Sequence, residues 1–325
     1  MHQSSPTAPA PAEVRAAMTV GAKAGFVDAT GAFVIAATFD EVQPFSEGRA
    51  AVRVGGDWGF VDTAGGWVSK PAFDDAFPFS DGLAVVARDN RYGAVDRSGR
   101  VVVALDLAGL RPFSEGLAPA SADGRWGFID ATGRQVIAAT FEDVWGFRDG
   151  LARVTDGERM CFIDRAGQPA AAGCHADAGD FADGLAPVSR GDRWGYIDRS
   201  GRLAVPAVWL QALPFSEGLA AVEAEAGKGP AGSWGYIDTT GRIAIAPQFE
   251  HAGAFTEGLA PVRVARQGTG TAGRDGYADR SGRLAIPARF DAAYGFSGGL
   301  AAVLVAGQRA IVDRSGAFVV APATP

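Results

Sequence analysis

Short apolar runs alternate with Gly- and Asp-containing turns from about residue 18 to residue 322. One run recurs almost unchanged: Trp58-Gly59-Phe60-Val61-Asp62, Trp126-Gly127-Phe128-Ile129-Asp130, Trp194-Gly195-Tyr196-Ile197-Asp198 and Trp234-Gly235-Tyr236-Ile237-Asp238. Degenerate copies end at Asp28, Asp96, Asp164, Asp279 and Asp313. The nine aspartates lie 34 residues apart, with gaps of 40 and 41 around Asp238. Three residues after each stands a Gly, from Gly31 to Gly316. Asp-x-x-Gly between two apolar runs predicts a hairpin turn. The carboxylate accepts backbone N–H groups inside the turn, and Gly takes the left-handed conformation that lets the next strand start. That next strand is often apolar at consecutive positions, as in Val101-Val102-Val103, which predicts cover on both faces.

A second signature reads Phe113-Ser114-Glu115-Gly116-Leu117-Ala118 and reaches its Gly twenty residues after each of the first eight aspartates. Its Phe is invariant (Phe45, Phe79, Phe113, Phe147, Phe181, Phe215, Phe255, Phe296), and so is its Gly. The Phe reads as the core plug of each repeat. The Gly reads as the bend that launches a third strand, such as Leu185-Ala186-Pro187-Val188. A short fourth strand is suggested around Phe39-Asp40 and Phe141-Glu142. The chain therefore divides into a polar tail over 1–17, expected to be disordered, and one array over 18–325 of eight full repeats and a ninth terminal hairpin. The two long spacings come from insertions at one loop position, 224–232 and 266–273, and so mark one face of the array.

These strings resemble the WG-repeat family of bacterial proteins across nearly the whole chain. The resemblance implies a repeat array without a general activity, in proteins often exported or associated with the cell envelope. Ala24, Tyr92, Met160, Asp275 and Arg309 stand where that family's Trp is expected.

One repeat cannot bury its own Phe, so neighbours must stack. A 34-residue repeat is short against the roughly 40–45 residues of a familiar four-stranded propeller blade. Propellers also commonly close by one terminus supplying a strand that the other lacks. Here both ends supply the same hairpin, Gly25–Ile35 and Ala310–Val320, with nothing left over. The expectation is an all-β open superhelical solenoid of hairpins, with a closed β-propeller as the alternative.

Composition narrows the function classes. A net charge of −7 with interspersed signs gives no basic stripe for nucleic acid. No run of 18 apolar residues predicts a membrane-spanning helix. The three histidines (His2, His175, His251) have no metal-ligand spacing, and no cofactor is expected. Gly295-Phe296-Ser297-Gly298-Gly299 matches a nucleophile elbow but is the eighth Phe-Ser-Glu-Gly copy, without the strand-to-helix context. Gly268-Thr269-Gly270-Thr271-Ala272-Gly273 matches a dinucleotide fingerprint but lies in an inserted loop.

The residues that remain point to binding. Trp58, Tyr92, Trp126, Trp194 and Trp234 form a candidate stacking row for sugars or cationic groups, against a packing role for the same rings. Trp67, Trp145 and Trp209 lie off the motif and are candidates for surface specificity. Cys161 and Cys174 share the fifth repeat, where Cys161 replaces the motif Gly; they read either as a disulfide, and with it an exported or periplasmic protein, or as two unrelated buried thiols. A cytoplasmic setting is the alternative if Met1 is the true start. The expected function is a monomeric, non-catalytic scaffold for an unidentified protein or glycan. A spacer without a ligand is one alternative. An enzyme using the inserted loops, with Glu223, Glu225, Lys228, Arg266 and Arg274 as available groups, is another.

Overall fold

The computed structural model describes residues 16–28, 30–225, 233–265 and 273–322. The expected tail, apart from Ala16 and Ala17, and most of both insertions, with Lys228 and Arg266, lie outside the described residues.

Among the described residues the chain forms nine antiparallel sheets of three or four strands. Each sheet is built from a contiguous stretch of chain, with neighbours in space also neighbours in sequence. Blade 2 shows the plan: Glu41–Val42, Arg49–Val54, Asp57–Asp62 and Trp67–Phe73, numbered here as its first to fourth strands. Blades 3 to 9 repeat it over 75–107, 109–141, 143–175, 178–209, 211–249, 251–290 and 292–320. Blade 6 reduces its first strand to a single bridge, Ala178 with Val188. The third strand is buried along most of its length, whereas the fourth is largely half-buried or exposed. The cover on both faces expected at Val101-Val102-Val103 does not occur: it is the outer strand, and Val101 is exposed.

The nine sheets form a closed nine-bladed β-propeller, and the open solenoid expected from the sequence is wrong. Two observations explain the error. Ala16–Val20 is a strand pairing with Lys23–Val27, so blade 1 holds three strands of its own and blade 9 holds four. No strand exchange is needed. Closure is made by blade faces, and the last interface copies an internal one. The backbone at Gly99 in blade 3 lies against the Val68 carbonyl of blade 2. The backbone at Gly31 in blade 1 lies against the Val319 carbonyl, the equivalent residue of blade 9. The short repeat length follows from a first strand of only two residues.

The turns follow their predicted chemistry. In Asp62-Thr63-Ala64-Gly65 the Gly65 N–H donates to the Asp62 carbonyl at 3.0 Å. The Asp62 carboxylate accepts the amides of Ala64 and Gly66, each at 2.9 Å. Where Ser or Thr takes the place of Ala64, its hydroxyl donates to the same oxygen, as Ser98 does to Asp96 at 2.5 Å. That bond, together with the Arg100 and Ser98 amides, outweighs desolvation and brings the Asp96 carboxyl down to about 2.

The motif Gly after Trp has a different reason. The fourth strand bulges opposite it, with Trp58 facing Phe73 but Phe60 facing Ser69. A Cβ at Gly59 would sit 2.5 Å from the Ser69 carbonyl oxygen and 2.7 Å from the Pro71 nitrogen. In blade 5 the bulge moves past this point. Cys161 therefore faces Cys174 directly, and their sulfurs are bonded across the strands.

Candidate functional site

The Phe-Ser-Glu-Gly signature joins blades. Ser46 and Arg49 close a two-residue hairpin loop, with Glu47 and Gly48 both at positive φ (51° and 75°). This is the geometry of a type I′ turn. Its carboxylate does not bond locally. Glu47 accepts the Gly82 amide of the next blade at 2.9 Å. Asp81, Glu115, Asp149, Asp183, Glu217 and Glu257 do the same to Gly116, Gly150, Gly184, Gly218, Gly258 and Gly299. Beside them Ser46, Ser80 and Ser216 donate to the carbonyls of Phe79, Phe113 and Phe255. Burial pushes the Glu47 carboxyl up, but the bonds from Arg97 and the Gly82 amide win and hold it below the usual carboxylate range. Arginines in the Asp-x-x-Gly turns reach the same rim, as Arg97 reaches Glu47 at 2.6 Å.

The signature Phe is a wedge between blades. Phe60 of blade 2 meets Phe79 of blade 3 at 5.1 Å, and Tyr236 of blade 7 meets Phe255 of blade 8 at 4.8 Å. Each sequence repeat therefore straddles two blades, and the plug of a repeat is the glue of an interface.

Blades of a ring diverge outward, so equivalent positions can bond one another only where the blades converge. Those bonds join signature to signature, which places this segment and the first strand on the axial side. The residue just after the first strand lies there too. It is Gln43, Phe77, Arg111, Trp145, Gly179, Leu213, Gly253 and Tyr294 in blades 2 to 9, at least partly exposed in every case. Gln43 and Arg111 reach the next blade at this level, through the Ala76 and Val144 carbonyls. The sequence singled out Trp145 alone of this set. The position was detectable as a residue that differs in every repeat but one pair, two places ahead of the invariant Phe. Trp145 lies under the Arg153 guanidinium at 4.0 Å, and Arg153 is bonded to Asp180 at 3.0 Å. Arg111 lies 4.2 Å over Trp126 and bonds Asp143 at 2.7 Å.

The Trp row is placed differently. Trp58 and Trp234 are 8% and 7% exposed and belong to the clusters that seal their blades to the next. Trp126, Trp194 and Tyr92 are half-buried and pack on equivalent clusters. Trp209 is the cross-strand partner of Trp194 and is buried, with an indole N–H that has no partner among the described residues. Trp67 begins the outer strand of blade 2, 44% exposed, edge-on to Phe39 of blade 1 at 6.0 Å. Of the groups considered for an enzyme, Glu225 bonds Arg193 at 2.6 Å, Arg274 pairs with Asp291, and Glu223 accepts from Ser233. Among the described residues no cluster of three or more metal-ligating side chains occurs, and no helix is long and apolar enough to cross a membrane.

The model of the WG containing repeat matches residues 25–56, 58–92, 92–126, 126–159, 194–228, 234–265 and 276–307. No curated protein matches the sequence. Among solved structures, a eukaryotic initiation factor superposes with a TM-score of 0.64 at 11% identity, covering 93% of each chain. At that identity the likeness shows the fold alone. Dihydro-heme d1 dehydrogenase NirN in complex with DHE superposes at 0.49, with 14% identity over 85% of this chain and 71% of that one. Kluyveromyces lactis Hsv2 superposes at 0.37, with 8% identity over 72% and 87%.

Proposed function

The chain belongs to the family of WG containing repeats, and from that premise we propose that it is a non-catalytic binding scaffold for a protein or glycan partner. One observation carries the reading. The repeat fixes Phe and Gly in successive blades, and an acid before the Gly in all but the last, to join them, yet changes the nearby axial residue from blade to blade. A regular frame bearing an irregular surface is how repeat proteins recognise partners. Phe77, Trp145 and Tyr294 supply aromatic area, and the Arg111–Asp143 and Arg153–Asp180 pairs supply oriented donors and acceptors. The motif Trp residues are engaged in packing, so recognition falls to residues that the repeat does not require. The Cys161–Cys174 bond fits an oxidising compartment such as the periplasm.

The test is affinity capture from an envelope fraction, analysed for proteins and sugars. Wild type is set beside Phe77→Ala/Trp145→Ala/Tyr294→Ala and beside Trp67→Ala, after all three are shown to melt alike. The expected result is one defined partner, lost by the triple variant and kept by Trp67→Ala. No partner from any fraction, or equal capture by the triple variant, would sink the reading.

A further inference from the structure

In blade 8 the motif Trp is replaced by Asp275, and the axial position is Gly253. Blade 4 carries Trp126 and Arg111 at these two places, stacked on one another. Blade 8 has neither side chain, and a cavity of about 330 Å³ opens there against blade 9. It is lined by His251, Gly253, Pro261, Val262, Arg263, Asp275 and Ala293. The volume is at the lower end for small-molecule pockets, about 300–1,000 Å³, and suits one small ring.

The floor is polar and fixed. Asp275 accepts the Arg263 Nε–H at 2.7 Å and the Ala293 amide at 3.0 Å. Arg263 also donates to the Asp291 carbonyl at 2.9 Å. A carboxylate has about four acceptor sites and a guanidinium five N–H donors, so both keep capacity toward the cavity. The mutual ion pair leaves the floor without net charge. The walls are the small apolar surfaces of Gly253, Pro261 and Ala293. At the rim His251 is exposed, its ring centred 5.0 Å from the buried Trp234. Trp234, whose ring meets His251, and Arg263, which donates to Asp275, each stand close in sequence to one of the two insertions.

We propose that this niche between blades 8 and 9 binds a neutral pyranose unit of a glycan. A charge-neutral Arg–Asp floor offers donors and acceptors side by side, as vicinal hydroxyls require, and the apolar walls accept the C–H faces of the ring. A small anion would meet the Asp275 carboxylate beside Arg263, and a purely apolar ligand would strand both. The inference deepens the scaffold reading and rests on it for the glycan class.

The experiment is titration of the full chain with D-glucose, D-galactose, D-mannose and N-acetyl-D-glucosamine, followed by saturation-transfer NMR. Acetate and inorganic phosphate serve as anionic controls. Two variants fill the cavity with side chains that the array carries elsewhere: Asp275→Trp restores the motif residue, and Ala293→Leu copies Leu110 of blade 4. Arg53 already faces a Trp across the same strands in blade 2, so Arg263 opposite Trp has an internal precedent. The expected result is saturable binding of at least one sugar, weakened about tenfold or more in both folded variants. No saturable sugar binding, equal binding by the filled variants, or binding of the anions alone would overturn the proposal. Its failure with axial-site capture intact would remove only this niche. Failed capture with sugar binding intact would remove only the axial reading.

Discussion

The seven acids of the Phe-Ser-Glu-Gly signature hold a backbone conformation that side chains avoid. Asp149 has φ 50° at the second position of its turn, where an L residue gives up about 1–2 kcal/mol against an ordinary φ. Its carboxylate meets the Gly184 amide at 2.7 Å in a partly buried setting, and a bond to a charged group offsets about 1.5–3 kcal/mol. Asp149→Ala keeps the strain and strands the amide, whereas Asp149→Gly strands the amide but releases the strain. Urea unfolding should place the Ala variant about 1 kcal/mol below the Gly variant, with both below wild type. Equal stability of the two would mean that the local backbone is not strained. The turn carboxylates give a pH signature. Asp96, Asp130 and Asp198 are brought to about 2 from 3.8, first by the hydroxyls of Ser98, Thr132 and Ser200. Depressed folded values mean stabilisation that is complete above the ordinary carboxylate range and is lost as pH falls through the folded values. The stability gap between wild type and Ser98→Ala/Thr132→Ala/Ser200→Ala should therefore be open at neutral pH and close between about pH 4 and 2. Thermal melts across that range check it, and a gap independent of pH would dismiss the linkage.

At the scale of the element, each hairpin is a set of close approaches. Gly59→Ala forces a methyl into the bulge at Ser69–Pro71, backbone against backbone. It should cost about 1–3 kcal/mol in chemical denaturation, the range of overpacking. Blade 5 escapes this because its bulge is shifted, and it uses the same place for a covalent link. The Cys161–Cys174 bond closes a separation of 13 residues. Cys161→Ser/Cys174→Ser should lose about 2–3 kcal/mol of stability, with amide exchange rising first in blade 5. An unchanged melt would show that the bond constrains nothing. Much of this level was legible in the sequence, because Asp-x-x-Gly turns and strand alternation are local chemistry. The reason for the Trp-Gly glycine was not. It lies in a bulge on a partner strand, while the residues around Gly59 give a plain strand pattern. The acid-Gly pairs such as Asp81-Gly82 did carry a hairpin signal. What they hid was that the acid bonds the next blade, 35 residues away.

For the whole molecule, closure depends on what the two ends lack. The carboxylate links run from blade 2 through to blade 9, where Gly298 stands in place of the acid and sends nothing onward. The interface of blades 9 and 1 therefore relies on face packing, with Gly31 against the Val319 carbonyl. No residue pattern announces such a contact, and the strand Ala16–Val20 sits directly after a tail-like stretch. Closure was for these reasons the least legible feature. Gly99 provides an internal control: its φ is 81° against 83° for Gly31, and it faces the equivalent Val68 carbonyl. Between blades 2 and 3, however, the Glu47 bonds to Gly82 and Arg97 tie the interface shut. Gly99→Ala must then absorb its clash as strain in a ring that stays closed, whereas Gly31→Ala can relieve the same clash by parting blades 1 and 9. Hydrogen exchange should rise selectively in blades 1 and 9 of the Gly31 variant and stay low at blades 2 and 3 of the Gly99 variant. Matching exchange patterns at the two interfaces would show that the carboxylate links do not hold the ring, and that blade packing alone closes it.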